Sequence, residues 1–200
     1  MIGIIDYGAG NLKSVEKAFA KIGVPACVSA DAAALSECDA LVLPGVGAFA
    51  DAMRAITDRG FDRLVRDTAQ EGKPFLGICL GMQVLFSHSE EGDAEGLGIL
   101  QGNIRRIPDT GLKIPQIGWN QISLTRPTRL LEGLDGQYFY FVHSYYLEPA
   151  EDVVVAACDY GVPLSIAVEK GNLFATQFHP EKSSDAGLAI LKKFSQISGF

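Results

Sequence analysis

Apolar and polar residues follow two distinct patterns along the first half of the chain. Short continuous apolar runs predict four buried strands, at residues 2–6, 26–29, 40–43 and 73–79. Between these runs, apolar residues recur every three or four positions and predict helices at residues 12–22, 48–58, 61–71 and 80–87. Apolar strands separated by helices are typical of a parallel sheet covered on both faces. The first half therefore predicts an α/β fold.

The second half changes to short runs of alternating apolar and polar residues, separated by Gly, Pro and Asp turns. These runs predict six strands, at residues 102–107, 116–123, 137–142, 153–158, 164–169 and 173–178. We expect them to form an additional antiparallel layer, followed by a last helix at residues 185–197. No linker, repeat or low-complexity segment interrupts the pattern. The sequence thus predicts a single domain over residues 1–200, with a central, mostly parallel sheet flanked by helices.

Charge and composition exclude several classes of protein. The chain has 200 residues and a net charge of −7, which argues against nucleic acid or an anionic membrane as the main partner. The N-terminal stretch carries Asp6 and no basic region, so we expect no signal peptide, and no apolar run approaches the ~18 residues of a membrane helix. Scattered cysteines without a C-x-x-C pair favour a cytoplasmic setting and no metal site. We expect Cys27, Cys38 and Cys158 to be core residues.

Three glycine-rich turns follow strands predicted in the first half. They have the sequences GAGN, PGVGAF and GICLG and span residues 8–11, 44–49 and 77–81. In open parallel sheets, ligands bind at the carboxyl ends of the strands. We therefore expect a functional site where these turns meet.

The turn at residues 77–81 has the form G-x-C-x-G, the cysteine version of a strand–turn–helix nucleophile elbow. Such a turn holds its central residue in a strained conformation, and side chains at Gly77 and Gly81 would collide. Cys79 would then lie at a helix N-terminus, where the dipole favours a thiolate. The backbone N–H of Leu80 would point to a developing oxyanion. The other interpretation of Cys79 is a small buried apolar residue.

A base and an orienting carboxylate are predicted at another strand end, in the sequence QFHPE at residues 177–181. Residues i and i+2 of an extended chain project to the same side, so Glu181 can bind one nitrogen of His179 while the other faces a thiol. The other interpretation is a surface turn with incidental His and Glu residues. The two glycines of residues 44–48 favour exposed N–H groups that could supply a second oxyanion donor, although a phosphate loop or a plain tight turn fits as well. A nucleotide P-loop is unsupported because no G-K-[ST] follows.

Taken together, these motifs resemble the triad, or class-I, glutamine amidotransferases. The resemblance extends over the whole chain and includes IDYGAGNL, LPGVGAF, PFLGICLGMQ, GWN, FVHSY and FHPEKS, at residues 5–12, 43–49, 74–83, 118–120, 141–145 and 178–183. Within the family the motifs are most similar to the branch that serves histidine biosynthesis. One departure is Gln116, which stands where relatives often have His. It limits this position to packing of a lid or an interface.

The resemblance implies a function and a mechanism. Cys79 would attack the side-chain amide of glutamine, with His179 as base and then acid and Glu181 holding the ring. Backbone groups of Leu80, Val46 and Gly47 would bind the oxyanion. Glutamate would leave after hydrolysis, and the ammonia would pass to a (βα)8-barrel cyclase subunit that forms imidazole glycerol phosphate and aminoimidazole carboxamide ribotide. Transfer away from water is useful because ammonia is protonated at neutral pH. No cofactor is implied.

Further residues are assigned through the same resemblance. Those expected to bind the substrate are Gln83, Gly45, His143, Ser144 and Tyr145. Those expected at the mouth that meets the partner are Asn11, Tyr7, Trp119, Tyr140 and Lys182. His143 could also be a packed structural residue and is a poor candidate for the base, because no carboxylate follows it closely. Trp119 fits either an interface or the core.

Three other functions compete with this interpretation. A different glutaminase, such as the partner subunit of pyridoxal phosphate synthase, would share the triad, but IDYGAGN and FVHSY argue against it. A thiol hydrolase or peptidase of the same architecture would act without a partner. A non-catalytic regulatory module would not need Cys79, His179 and Glu181 together. Activity measured with and without a partner separates these possibilities.

Overall fold

The computed structural model describes residues 1–200. Its α-helices are α1 (Leu12–Lys21), α2 (Ala32–Ser36), α3 (Phe49–Asp58), α4 (Phe61–Gln70), α5 (Leu80–Gln83) and α6 (Ser184–Ile197). A single 3-10 turn spans Pro180–Lys182. None of the helices has the length and apolarity that crossing a membrane requires.

Fourteen strands make up the rest of the regular structure. The first seven are β1 (Ile2–Ile5), β2 (Ala26–Ser29), β3 (Ala40–Gly45), β4 (Phe75–Cys79), β5 (His88–Ser89), β6 (Ala94–Glu95) and β7 (Gly102–Arg106). The others are β8 (Gln116–Gln121), β9 (Ser123–Leu124), β10 (Tyr138–His143), β11 (Tyr145–Pro149), β12 (Val154–Asp159), β13 (Pro163–Lys170) and β14 (Leu173–Thr176).

One large sheet runs through the molecule in the order β2-β1-β3-β4-β14-β13-β11-β7-β5-β6, with β12 and β9 attached beside β13. Strands β2, β1, β3, β4 and β14 form a parallel block, and β14 then pairs with β13 in antiparallel orientation. Successive residues of a strand face opposite sides, so Ile4 and Val42 enter one apolar core while Ile5 and Leu43 enter the other. Burial on both faces explains why these strands are continuous apolar runs.

A separate two-stranded sheet pairs β8 with β10 in antiparallel register. Phe139 and Phe141 of β10 are fully buried, and both pack against Phe178, with ring centroids 4.3 Å and 5.6 Å from it. Tyr140, between them in sequence, faces the opposite way and pairs with Trp119 of β8. The small sheet is therefore anchored by one face and leaves its other face toward solvent.

The α/β class with a mostly parallel central sheet and a separate antiparallel sheet is confirmed, but the strands are distributed differently from the prediction. Most antiparallel strands continue the central sheet, and the separate sheet contains only β8 and β10. The strand predicted at residues 173–178 pairs in parallel with β4. Strand β11 and helix α2 were not predicted.

The helix predicted at residues 80–87 ends at Gln83. The backbone N–H groups that follow show why. A helix that continued to residue 87 would direct the N–H groups of residues 85–87 to carbonyls four residues back. Those of Leu85 and Phe86 instead donate three residues back, to Met82 and Gln83, and that of Ser87 donates to the carbonyl of Gly102. Contact with this distant residue therefore replaces the next helical bond.

Candidate active site

The turn that carries Cys79 is sharply bent because glycines flank it. Cys79 has φ +56° and ψ −114°, a conformation that residues with a side chain rarely adopt. A Cβ atom on Gly77 would lie 2.7 Å from the carbonyl oxygen of Gly81, and one on Gly81 would lie 1.8 Å from that of Leu43. Only glycine fits at these positions, which agrees with the expected collision. Because α5 has four residues, however, few peptide dipoles add up, and the predicted helix-dipole effect on Cys79 is correspondingly small.

His179 and Glu181 form a buried pair directly after β14. His179 Nδ1 and Glu181 Oε1 are 2.8 Å apart, and the two side chains are 2% and 1% exposed. The backbone of His179 is held on both sides, because its N–H donates to the carbonyl of Tyr140 and its own carbonyl accepts from the Ser183 hydroxyl. The ring is thus fixed both through its main chain and through the carboxylate.

The environment of His179 favours its charged form. Burial alone would lower the pKa of the ring, but the hydrogen bond and charge of Cys79 and those of Glu181 outweigh it and raise the pKa to about 9. Nε2 is buried and makes no hydrogen bond of ordinary geometry, although the Cys79 sulfur is near enough to contribute to this shift. The arrangement can therefore hold a proton between a sulfur and a carboxylate.

Two buried glutamines are linked to the sulfur, Gln177 directly and Gln83 through Gln177, and sequence reasoning assigned a role only to Gln83. Gln177 is fully buried, and its Nε2 lies 3.6 Å from Cys79 Sγ. Its Oε1 accepts a hydrogen bond from Gln83 Nε2 at 2.9 Å, and the same nitrogen donates to the carbonyl of Tyr145 at 3.3 Å. An amide side chain two residues before His179, in the mostly apolar run at residues 173–178, was the available signal for Gln177.

His143 is a neutral, structurally held residue. Burial lowers its pKa to about 4, aided by the nearby charge of His179. Its Nδ1 lies 2.8 Å from the carbonyl of Tyr145, which can only accept, so Nδ1 carries the proton. Nε2 must then accept a hydrogen bond, and the Gln116 amide, 2.6 Å away, is the donor when its nitrogen faces the ring. Gln116 is 2% exposed; it supports His143 from within and does not line a lid or an interface.

A cavity of about 340 Å³ opens above the sulfur. Its lining residues are Val46, Gly47, Cys79, Leu80, Gln83, Glu91, Pro115, Val142, His143, Ser144, Tyr145 and His179. Gly45, expected among the substrate contacts, does not line the cavity. It is buried at the end of β3, and a Cβ there would lie 2.7 Å from the backbone nitrogen of Gly81. Glu91 was not predicted; its carboxylate accepts the N–H of Phe49 at 3.1 Å. The size suits a small polar ligand.

Tyr7 lies beneath the loop at residues 44–48. It was expected at the mouth of the site, but it is 2% exposed, and its hydroxyl would lie 2.9 Å from a Cβ on Gly45. Burial raises the pKa of Tyr7 to about 12, and the charge of Cys79 adds to this rise, while the backbone N–H of Val46 opposes it.

The outer face of the small sheet carries exposed apolar side chains beside the cavity. Ile117, Trp119 and Tyr138 are 56%, 51% and 55% exposed. The Trp119 and Tyr140 rings meet edge to face with centroids 6.3 Å apart, and Lys182 Nζ lies 5.8 Å from the centroid of the Tyr140 ring. Of the two interpretations of Trp119, the surface position is the one found.

Asn11, also expected at the mouth, precedes α1. It is half-buried and makes no side-chain capping bond.

Comparison with known proteins gives a consistent result. Residues 3–197 match the family described as glutamine amidotransferase class-I. Imidazole glycerol phosphate synthase subunit HisH from Methanothermobacter thermautotrophicus is 53% identical over 198 residues, covering 98% of both chains. The subunit of the same name from Desulfitobacterium hafniense is 53% identical over 199 residues, covering 98% of this chain and 94% of its own. A crystal structure of a glutamine amidotransferase has a TM-score of 0.78 at 20% identity, covering 100% of this chain and 99% of that one, which shows the shared fold.

The family match spans nearly the whole chain, and identities near one half extend over 94% or more of each relative's length. The chain therefore belongs to the class-I glutamine amidotransferase family and, within it, to the family of imidazole glycerol phosphate synthase HisH subunits.

Proposed function

We propose that this chain hydrolyses glutamine to glutamate and ammonia and delivers the ammonia to the cyclase subunit of imidazole glycerol phosphate synthase, as one half of a heterodimer. One observation carries the hydrolytic part. A cysteine in a strained turn shares a single cavity with a buried histidine whose other nitrogen binds a carboxylate. This is the constellation that nucleophilic acyl transfer needs. Membership of the HisH family supports the specific substrate and partner.

The first half of the reaction forms a thioester. The Cys79 thiolate attacks the side-chain carbonyl carbon of glutamine, and the carbonyl oxygen becomes an oxyanion. His179, holding the proton from sulfur, gives it to the departing nitrogen, so that the C–N bond breaks and ammonia leaves. Glu181 stabilises the imidazolium until that transfer.

The second half regenerates the cysteine. Water takes the place of ammonia, His179 removes its proton, and the resulting hydroxide attacks the thioester carbon. The C–S bond then breaks, sulfur regains its proton from His179, and glutamate leaves. In both halves the oxyanion would be bound by the N–H of Leu80 and by the Val46–Gly47 backbone.

Selectivity for glutamine is proposed to come from polar groups around the cavity. The α-ammonium group of an amino acid needs an anionic partner, and the Glu91 carboxylate can supply one. Both N–H groups of Gln83 are used, so its oxygen remains to accept from the substrate. Ser144 and Tyr145 border the same space, with His143 as a neutral wall. Gly45 contributes indirectly, by letting the loop approach the elbow.

The oxyanion site is proposed to be incomplete in the free chain. The Val46 N–H lies near enough to the Tyr7 phenol oxygen to affect its pKa, and on this proposal it turns toward the cavity before it binds an oxyanion. Such gating would suppress glutamine hydrolysis until the partner is present. We propose that Asn11 and Lys182 take part in this coupling, because they match family positions of that kind.

The outer face of the small sheet is proposed as the contact with the (βα)8-barrel cyclase. Three exposed apolar side chains on a two-stranded sheet form a patch of the kind that marks an interaction site, and Trp and Tyr are favoured in interfaces. Ammonia passed across this contact would enter synthesis of imidazole glycerol phosphate and aminoimidazole carboxamide ribotide. We propose that the chain acts as one domain in the cytoplasm.

Activity should decline at alkaline pH as His179 loses its proton. Its pKa is raised to about 9, so the imidazolium that protonates the leaving nitrogen disappears above that pH, and kcat/KM for glutamine falls. His143, with a pKa of about 4, stays neutral throughout and contributes nothing to this limb. The measurement is kcat/KM of the complex against pH, with glutamate quantified chromatographically after quenching. In Glu181→Gln the limb should move to lower pH, because the lost carboxylate charge is one that raises the pKa; a flat profile through pH ~10 would contradict this.

The test of the proposed function is glutamate release from glutamine, measured with the purified chain alone and then with the cyclase subunit and its nucleotide ligand. We expect near silence alone and strong activation in the complex. Vigorous hydrolysis by the chain alone would identify an independent amidohydrolase. Silence under both conditions would refute the glutaminase assignment or the choice of partner, and direct measurement of complex formation separates these two.

A further inference from the structure

A chain of hydrogen bonds runs from a backbone carbonyl to the sulfur of Cys79. The Tyr145 carbonyl accepts from Gln83 Nε2 at 3.3 Å, and the same nitrogen donates to Gln177 Oε1 at 2.9 Å. Gln177 Nε2 in turn lies 3.6 Å from Cys79 Sγ. Gln177 is completely buried, with 0% of its surface exposed, and Gln83 is 4% exposed. Water therefore competes little for these amides.

The direction of this chain follows from its first member. A backbone carbonyl can only accept, so the atom that Gln83 turns toward Tyr145 must be its nitrogen. That nitrogen also donates to Gln177, so the acceptor must be the amide oxygen of Gln177. The amide nitrogen of Gln177 is left for Cys79. The donor toward the sulfur is thus fixed by the main chain, although an isolated amide could turn either way.

A fixed donor affects the two forms of the cysteine differently. A thiolate accepts a hydrogen bond far better than a thiol, because charge strengthens the bond, and the effect is larger in a buried site. The titratable groups that share the cavity with the sulfur are His179, Glu91, His143 and Tyr145, and the Tyr7 phenol lies near enough to be affected by its charge. Of these only His179 carries positive charge at neutral pH, and it must give up its proton during the reaction. The Gln177 donor remains throughout.

We infer that Gln177 is a positioning residue that stabilises and aims the Cys79 thiolate through an N–H···S hydrogen bond, with its amide locked by Gln83 and the Tyr145 carbonyl. This inference deepens the proposed glutaminase function and rests on it for its biological meaning. It adds a second stabilising group to the nucleophile, one that is shielded from solvent. The bond persists when the imidazolium is neutralised, which keeps the sulfur in place between the two halves of the reaction.

The test is the rate at which iodoacetamide alkylates Cys79 in the full chain as a function of pH, followed by mass spectrometry of the Cys79 peptide. In Gln177→Glu the contact with Gln83 is retained, but an oxygen replaces the donor at sulfur. Alkylation at neutral pH should slow by about tenfold or more, and its pH midpoint should rise by about one unit or more. Gln177→Met, which removes the donor without adding charge, should move the midpoint in the same direction by less.

Gln116→Met is the matched control, because it also removes a buried glutamine amide but one that contacts His143. Its midpoint should equal that of the parent chain. Should a variant at Gln177 fail to fold, Gln83→Met carries the test, since it leaves Gln177 in place and frees its amide to turn. A midpoint unchanged in the folded variants, or moved equally by Gln116→Met, overturns the inference. Alkylation needs neither glutamine nor cyclase. Failure of the inference about Gln177 is therefore distinguishable from failure of the proposed function, which the glutamate-release assay tests.

Discussion

Replacing Cys79 with serine is expected to abolish glutamine hydrolysis while leaving the complex with the cyclase intact. A serine hydroxyl is a much weaker nucleophile at neutral pH, and a His179–Glu181 pair arranged around a sulfur does not activate it equally. The loss in kcat should be about 10⁴-fold or more, the scale on which removal of a triad member acts. Because Cys79 is 7% exposed and lies inside the cavity, the outer face of the small sheet is untouched. Glutamate release and sedimentation of the mixed subunits measure the two halves of this expectation.

Cys27→Ser is the control for this experiment. Cys27 is half-buried in β2, at the far edge of the large sheet, and takes no part in the cavity. Its variant should retain hydrolysis and binding together. Residual hydrolysis near the parent rate in Cys79→Ser would remove Cys79 from the mechanism. Loss of binding would mean that the elbow also shapes the contact with the partner.

Replacing Gly81 with alanine is expected to destabilise the chain by about 3 kcal/mol or more, the upper range for forcing extra volume into a packed site. The added Cβ would meet the backbone oxygen of Leu43 at 1.8 Å, and backbone cannot move aside as a flexible side chain does. Strand β3 and the elbow must separate, which also displaces Cys79. Urea-induced unfolding, followed by circular dichroism, gives the free energy of unfolding.

Gly133→Ala separates this steric effect from the general cost of replacing glycine. Gly133 lies in a turn with φ +77° and open space around its Cα, so its variant suffers only the conformational penalty of about 1 to 2 kcal/mol. Gly81 has no positive φ, and its cost is entirely the collision. Equal destabilisation by the two substitutions would show that the elbow relaxes around the methyl group.

Local patterns along the chain were sufficient to predict most of the architecture. Fully buried strands such as β3 and β4 are recognisable as continuous apolar runs, because both of their faces enter a core. The elbow was predictable because its five-residue pattern is local, although only the collision of Gly77 with Gly81 lies within it; Gly81 itself meets Leu43 of β3. The pair of His179 and Glu181 also depends on local spacing alone.

Contacts between distant segments account for what sequence reasoning missed. Beyond α5 the N–H of Ser87 donates to the carbonyl of Gly102 and not to a helical partner, and no signal within residues 80–87 indicates this contact. Gln177 meets Gln83 across 94 positions of sequence, and its role exists only once β14 lies beside β4. Tyr7 was predicted at the mouth of the site because an aromatic side chain after a strand can point outward or lie beneath a loop. Which of the two occurs depends on how the glycine loop at residues 44–48 packs.

Strand β10 is bonded along both of its edges, and this ties two tasks to one piece of backbone. One edge pairs with β8, whose Trp119 faces solvent. On the other edge, the Tyr140 carbonyl accepts the N–H of His179, and the Tyr140 N–H donates to the Ser183 hydroxyl. A slip of this strand by a single residue would exchange its two faces. Phe139 and Phe141 would turn outward, and the anchor of the catalytic histidine would shift with them. The surface available to a partner and the orientation of His179 therefore cannot be altered independently, because a change of register in β10 disrupts both.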